Sequence, residues 1–449
     1  METEDYARLV QLDLAHMLHP MQGHDHNTNG PMVFVEGKGA IVKDAAGNEY
    51  LDAFSGLWNV NVGHGRVELA QAAQEQMGTL AFTSGFAGSS NVPAIRLAGR
   101  LADMAPGDLT ATFFTTGGAE SVETALKIAR FYWRMVGKPG KTKIISRQQG
   151  YHGLTGSALS ATGIRQFWKD FGPLEPGYYH IPTHRCFRCA WRREYPSCGV
   201  ACADALEQTI IAEDAETVAA FVAEPVQGAG GIFPPPPEYF PRIREICDRY
   251  NVLFVADEII TGFGRTGRMF GLEHWGVQAD VMTFAKGITS GYLPLGGVMV
   301  SERIHRVLRE LPEGVSFDHG YTYSGHPTCC AVALRNLDVI EEEGLVNGAA
   351  EMGKRLMIGL RGLEDLKGVG EVRGLGLMAA VEMAADKKGT PLPDEASVDR
   401  RVAAYLKQHG LITRVKGGTI MLAPPLILTE EQVDRIVDTV GEAIVSGMK

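Results

Sequence analysis

The sequence predicts an α/β fold with two parts, a large domain built on a mostly parallel sheet and a smaller α+β domain. Six short apolar segments typical of buried strands occur between residues 110 and 301, most of them separated by helical patterns. From about Ala331 the pattern changes to long amphipathic helices with few strands. The chain has 449 residues, which is more than a single hydrophobic core usually supports.

The strand candidates define the large domain, which we expect to span residues 57–330. They lie at 110–116, 141–147, 217–224, 252–259, 280–285 and 295–301. The helix after the first candidate carries an apolar stripe at helical spacing, formed by Val122, Ala125, Leu126, Ala129 and Trp133. A strand, a helix and a second strand in this order indicate a parallel sheet.

We expect residues 331–449 to form the smaller domain, and residues 1–56 to supply an N-terminal arm and part of that domain. Strand-like segments occur at 376–382, 411–414 and 419–422. The last helix has a start signal, because Gln432 follows Thr429 at the spacing of a capping box.

Composition excludes several classes of protein. The formal net charge is −10 and there is no basic run, which argues against nucleic-acid binding. No window of about 18 apolar residues occurs, so we expect no membrane span. The first residues include Glu2, Glu4 and Asp5 and do not resemble a signal peptide, which predicts a cytoplasmic enzyme.

Two residues at predicted strand ends suggest a cofactor site. Lys286 follows one apolar segment and Asp257 closes another. Ligands of parallel sheets bind beyond the carboxyl ends of the strands. Burial would leave a lysine amine uncharged and able to attack an aldehyde, and a buried aspartate needs a cationic partner such as a pyridinium nitrogen. The pair fits pyridoxal phosphate (PLP), and an ordinary ion pair is the alternative.

Three further segments point to the same sheet edge. Gly118 and Ala119 lie where a strand turns into a helix, and backbone N–H groups at a helix start can bind a phosphate. A plain strand-to-helix connection is the alternative. Tyr151 could stack on a planar ring or belong to the core, and Glu224 could face the shared edge or only cap a loop.

A cysteine-rich loop stands apart from these segments. It contains Cys186, Cys189, Cys198 and Cys202, and a CxxC pair of this kind resembles a structural zinc or iron–sulfur site. A redox disulfide and free thiols are the alternatives. Seven cysteines are an odd count, and the first residues do not resemble a signal peptide, which favours reduced thiols over a disulfide framework.

The segment from Asp257 to Gly267, followed by residues 280–287, resembles the motif of class III PLP-dependent aminotransferases of fold type I. The resemblance extends over nearly the whole chain, with similar segments at 56–60, 150–153, 224–228 and 322–327. They are most similar to the ω-amino acid and amine:pyruvate branch. This resemblance implies a large domain with a mostly parallel seven-stranded sheet.

The resemblance also implies a role for each candidate residue. Lys286 would form the aldimine with PLP, and Asp257 would keep the pyridine nitrogen protonated. Gly118 and Ala119 would bind the phosphate through backbone N–H groups. The remaining cofactor contacts would come from Tyr151, Ile259, Glu224 and Thr322. Thr322 would reach the phosphate in the neighbouring subunit, which implies a homodimer with shared active sites, or a tetramer of such dimers.

The substrate pocket would include Leu57, Trp58, Tyr151 and Arg414. Arg414 matches a mobile arginine that binds a carboxylate or moves away from an uncharged amine, and a surface ion pair is the alternative. Ala229 stands where some relatives have a glutamate, so this arginine would lack a fixed partner.

The predicted reaction moves an amino group from an ω-amino acid or primary amine to pyruvate or a similar keto acid. The alternatives are an aminomutase or racemase on the same fold, and a metal-bound structural protein built around the cysteine loop.

Overall fold

The structure is a computed structural model that describes residues 6–21, 23–24 and 30–449. Its strands are β1 (Phe34–Lys38), β2 (Ile41–Asp44), β3 (Glu49–Asp52), β4 (Leu109–Thr115), β5 (Lys143–Arg147), β6 (Tyr178–Ile181), β7 (Val218–Ala223), β8 (Leu253–Asp257), β9 (Val281–Phe284), β10 (Gly296–Ser301), β11 (Val369–Leu375), β12 (Met378–Met383), β13 (Leu411–Ile412), β14 (Arg414–Lys416) and β15 (Thr419–Leu422).

The α-helices of the same residues are α1 (Tyr6–His16), α2 (Ser55–Trp58), α3 (Val67–Thr79), α4 (Val92–Met104), α5 (Gly118–Met135), α6 (Gly156–Ala161), α7 (Ala201–Ala212), α8 (Tyr239–Arg249), α9 (Glu302–Arg309), α10 (Pro327–Glu342), α11 (Leu345–Arg361), α12 (Glu395–Gln408) and α13 (Glu430–Gly447). Short 3₁₀ turns lie at Phe86–Gly88, Arg165–Phe167, Ala215–Thr217, Gly271–Trp275 and Lys286–Ile288.

The largest sheet has seven strands in the order β4-β10-β9-β8-β7-β5-β6. Neighbouring strands from β9 to β6 pair in parallel, and β10 runs antiparallel to both β4 and β9. Every residue of β7 and β8 is buried, as expected of parallel strands covered on both faces. All six predicted strands are present, which confirms the α/β prediction with a mostly parallel sheet.

This topology brings the candidate residues to one edge of the sheet. Asp257 is the last residue of β8, and Lys286 follows β9 by two residues. Glu224 comes directly after β7, and α5 begins at Gly118, three residues after β4 ends. Because β4 points in the same direction as the parallel strands, these residues share the carboxyl edge.

Two four-stranded sheets lie outside this one. In the first, β1, β2 and β3 form an antiparallel set, and β13 pairs in parallel with β3. In the second, β11, β12, β15 and β14 are all antiparallel. The predicted capping box at the last helix is present, since the Thr429 side chain and backbone exchange hydrogen bonds with Gln432.

Helix α5 packs against the large sheet through its predicted apolar stripe, all of which is buried. The indole N–H of Trp133 donates to the carbonyl of Ala219 on β7 at 2.8 Å. The helix start, which lies at the candidate site, is thereby fixed relative to the strands. Among the described residues, no helix has the length and apolar character needed to cross a bilayer.

Candidate active site

Lys286 is half-buried at the start of a 3₁₀ turn, with a positive φ of 47°. A left-handed backbone is costly for a residue with a side chain and is typical of functional sites. Burial lowers the pKa of Lys286, while the negative charges of Asp257 and Glu224 act in the opposite direction. Its amine has no ion-pair or hydrogen-bond partner among the described residues and faces a cavity. This favours an uncharged, nucleophilic amine.

Asp257 is held by three hydrogen bonds. Its Oδ2 accepts from His152 Nδ1 at 2.7 Å, and its Oδ1 accepts from the backbone N–H of Ile259 and the hydroxyl of Thr283, both at 3.2 Å. Asp257 and His152 are both buried, and His152 Nε2 has no hydrogen-bond partner. The carboxylate is therefore fixed in position beside the cavity.

Glu224 organises the loop that carries Tyr151. Its carboxylate accepts from the backbone N–H of Tyr151 at 3.0 Å and from that of Gly228 at 2.8 Å. Burial raises the pKa of Glu224. The Tyr151 ring contacts Phe167 edge-to-face, with centroids 5.7 Å apart. Glu224 thus fixes the backbone from which Tyr151 faces the cavity.

The start of α5 closes one end of the site. Helix N-terminal N–H groups lack partners within their own helix, and those of Gly118 and Ala119 belong to this first turn. A Cβ added at Gly118 would lie 3.0 Å from the Ile259 side chain, and one added at Gly153 would lie 2.7 Å from Cβ of Ala119. Small residues are therefore required here, which leaves backbone N–H groups as the local donors.

These residues enclose a cavity of about 170 Å³. It is lined by Gly118, Ala119, Tyr151, His152, Gly153, Glu224, Asp257, Ile259, Ile260 and Lys286. Every predicted cofactor residue except Thr322 is in this set. A simple ion pair between Lys286 and Asp257 is not present among the described residues.

A second, larger cavity of about 510 Å³ opens from the first and shares Tyr151, Ile260 and Lys286 with it. The predicted substrate residues Leu57, Trp58 and Arg414 line this outer pocket. Trp58 is buried at a φ of 64°, and Leu57 is 60% exposed.

Arg414 makes no ion pair or side-chain hydrogen bond with the described residues, so the surface ion pair considered above is not present. Burial lowers the pKa of Arg414, and Tyr151 acts in the opposite direction. A half-buried guanidinium without a carboxylate partner is suited to bind an anionic ligand.

Thr322 lies on an exposed turn and is not among the described residues that line either cavity. The predicted contact of Thr322 with the cofactor of a neighbouring subunit therefore stays a prediction.

The cysteine loop requires a correction. Cys186, Cys189, Cys198 and Cys202 line a small cavity of about 20 Å³, yet all four are free, and no group of three or more potential ligands that could hold a metal ion occurs in the described part of the chain. Burial raises the pKa of Cys186 and raises that of Cys202 to about 12. The described cysteines therefore give no support to the predicted zinc or iron–sulfur centre.

Three features of the site were not predicted from sequence. His152 belongs to the segment 150–153 named above, but nothing in the local sequence indicates that its side chain reaches Asp257. Arg185 lines the outer pocket and donates to Glu382, which comes from β12. Lys416 also lines the outer pocket, two residues after Arg414 on the same strand. An alternating pattern on β14 is the signal that could have found it.

Comparisons with known proteins identify the family. Residues 23–444 match the family described as aminotransferase class-III. Putrescine–pyruvate aminotransferase of Pseudomonas aeruginosa is 41% identical over 416 residues, 92% of this chain and 90% of the relative.

Two solved structures are similar over almost all of both chains. The crystal structure of a thermostable (S)-enantioselective omega-transaminase from Thermomicrobium roseum has a TM-score of 0.97 and 47% identity, and covers 100% of each chain. The omega transaminase from Pseudomonas jessenii in complex with PMP has a TM-score of 0.95 and 38% identity, and covers 98% of each. The family match over almost the whole chain, together with the shared fold, shows that this protein belongs to the class III aminotransferases.

Proposed function

We propose that the protein is a PLP-dependent transaminase that moves an amino group from an ω-amino acid or a primary amine to pyruvate or a similar keto acid. The observation that carries this proposal is the cavity in which Lys286, an amine without a protein partner, and Asp257, a fixed carboxylate, are brought together.

The residues of the inner cavity fit PLP. Lys286 offers an amine for the aldehyde, and Asp257 offers a carboxylate for the protonated ring nitrogen. Gly118 and Ala119 offer helix-start N–H groups for the phosphate. Tyr151 and Ile259 offer an aromatic and an aliphatic surface for the ring. The Pseudomonas jessenii relative supports the assignment, since its structure contains PMP, the aminated form of this cofactor.

When bound, PLP supplies an electron sink for charge that develops at the substrate carbon. With the cofactor bound, the Lys286 amine would accept a proton from that carbon and later return one. The Asp257 carboxylate would hold the ring nitrogen and favour the protonated, electron-poor ring. His152 and Thr283 hold Asp257 in place for this task.

The outer pocket holds the part of the substrate that does not react. Arg414 can bind the carboxylate of a keto acid or of an ω-amino acid through a bidentate contact. Trp58 and Leu57 supply apolar surface for the methylene groups or for an uncharged amine.

The direct test is a donor screen followed through the absorbance of the bound cofactor. ω-Amino acids and primary amines should convert the spectrum to that of PMP, and pyruvate should then restore it. Lys286→Ala should abolish both changes. Conversion of a substrate to an isomer without any keto acid would instead indicate an aminomutase or racemase. A wild-type protein that binds PLP but shows neither reaction would contradict the proposal.

A further inference from the structure

One wall of the outer pocket is formed by the hairpin of β14 and β15. Side chains alternate along a strand, and Val415 packs against the hydrophobic core. Arg414 and Lys416 therefore lie on the opposite face, which lines the pocket. On β15 the residues paired with them, Met421 and Thr419, also line it. The pocket thus carries two cations on one strand.

Neither cation is neutralised by the protein. Neither Arg414 nor Lys416 has an ion-pair partner among the described residues. The described residues that line the outer pocket include no aspartate or glutamate. Ala229, which also lines the pocket, carries no charge.

The third cation, Arg185, differs from these two. It donates to Glu382, whose side chain is fully buried and also accepts from Arg188 and Arg373, both at 2.7 Å. Burial alone would raise the pKa of Glu382, but these guanidinium groups lower it below its usual value. Arg185 is thus held in an ion pair with Glu382, whereas Arg414 and Lys416 have no carboxylate partner among the described residues.

The two cations lie at different depths. Arg414 is half-buried and interacts with Tyr151, which also lines the inner cavity. Lys416 is exposed, and its Nζ lies 5.9 Å from the ring centroid of Phe167, which lines only the outer pocket. Residues two apart on a strand are separated by about 6.6 Å. Lys416 is therefore placed to contact a substrate group that lies farther from Lys286 than the groups that Arg414 can contact.

We propose that Lys416 is a specificity-determining residue that binds the carboxylate of longer ω-amino acids, while Arg414 binds the carboxylate of shorter ones. The proposal rests on the transaminase function proposed above and names its substrate class. It also means that α,ω-diamines are poor donors, because their far ammonium group would meet two cations and no carboxylate. In this respect the chain would differ from its Pseudomonas aeruginosa relative, which is named for putrescine.

The test compares kcat/KM across a series of donors of increasing length, β-alanine, γ-aminobutyrate, δ-aminovalerate and ε-aminocaproate. Lys416→Met removes the charge and keeps the aliphatic chain. We expect it to reduce kcat/KM for the longest donors by about tenfold, equivalent to about 1.4 kcal/mol, and to leave β-alanine within about twofold. Lys407→Met, which removes an exposed lysine outside the pocket lining, is the matched control. It should change kcat/KM neither for the longest donors nor for β-alanine.

A charge reversal supplies a gain-of-function arm. Lys416→Glu should raise kcat/KM for putrescine and cadaverine while it lowers the value for ε-aminocaproate. Both effects should weaken as the salt concentration rises, because the site is partly exposed.

An equilibrium measurement gives a readout that does not require turnover. Titration calorimetry of the PLP-loaded protein with unreactive carboxylates from propionate to heptanoate should show that Lys416→Met raises Kd only for the longer members. A uniform change across the series, or none, in both kcat/KM and Kd would overturn the role of Lys416. Failure of the proposed function would look different, since wild-type protein would then turn over no donor while the carboxylate titrations still reported on Lys416.

Discussion

At the scale of single residues, the site depends on a carboxylate that is fixed before any ligand binds. Asp257 is buried and accepts a hydrogen bond of 2.7 Å from His152. The two residues are 105 positions apart in the chain. A buried carboxylate without such a partner would be costly. We therefore predict that His152 acts as a positioning residue through Asp257.

Replacement of His152 by phenylalanine keeps a ring but removes the hydrogen bond. Because one oxygen of the buried carboxylate then lacks its donor, we expect a loss of about 1–3 kcal/mol of stability. We also expect kcat to fall by about tenfold or more, since an unfixed carboxylate stabilises the charged ring less well. Thermal unfolding and single-turnover absorbance measure the two effects.

His180→Phe is the control for this change, because His180 lies on β6 and its Nε2 has no hydrogen-bond partner. Equal losses of kcat in the two variants would show that His152 has no special link to Asp257.

At this scale, the sequence predicts those candidate residues that lie at the ends of strands. Lys286 and Asp257 were predicted because each closes an apolar segment, and parallel strands bring such residues to one edge. His152, Arg185 and Lys416 were missed because their partners come from distant segments or from a hairpin whose pocket-facing side is not set by local sequence. The metal hypothesis for the cysteine loop finds no support, because no group of three or more potential ligands that could hold a metal ion occurs in the described part of the chain.

At the scale of elements, the loop after β5 packs against the start of α5. Gly153 has a φ of 118°, and its missing Cβ would lie 2.7 Å from Cβ of Ala119. The two segments can approach this closely only with glycine at position 153. The packing fixes where the helix-start N–H groups face the cavity.

We predict that Gly153→Ala lowers the affinity for PLP, because the added methyl group must displace Ala119 from the helix start. Backbone strain should also cost about 1–3 kcal/mol. Gly137→Ala is the matched control, since Gly137 has a φ of 82° but nothing within 4 Å of an added Cβ. Both variants should lose stability, and only Gly153→Ala should need more PLP for half-saturation. Equal PLP affinity in the two would contradict this account of the loop.

Most elements could be predicted from periodicity, and the exceptions have physical reasons. All six predicted strands are present, but β6 was missed because Tyr178 to His180 are only half-buried and lack an apolar run. The strands β1, β2, β3 and β11 were missed as well. Their residues are largely exposed in β1 and half-buried in β2, so they lack a clear period.

At the scale of the whole molecule, the one predicted cofactor residue outside the inner cavity is Thr322. It lies on an exposed turn beside Tyr323, which is 57% exposed and packs against Phe82 with ring centroids 5.9 Å apart. Exposed aromatic residues of this kind favour a subunit interface. We propose a homodimer in which Thr322 contacts the phosphate in the neighbouring subunit.

Shared sites predict complementation between two inactive variants. Lys286→Ala removes the amine, and Thr322→Asp places a negative charge against the phosphate of the neighbour. A mixed dimer has one site with both wild-type residues, so mixing unfolded-and-refolded subunits should restore activity above the sum of the parents. Activity that stays at the level of the parents would show that each subunit builds its site alone.

The central claim is that Lys286 is the residue that bonds to the cofactor. Reduction of the PLP-loaded protein with borohydride makes such a carbon–nitrogen bond permanent, and peptide mass mapping then locates it. We predict one modified peptide, which contains Lys286, and none in Lys286→Ala. Modification of a different lysine, such as the buried Lys141, or no modification at all would contradict the account.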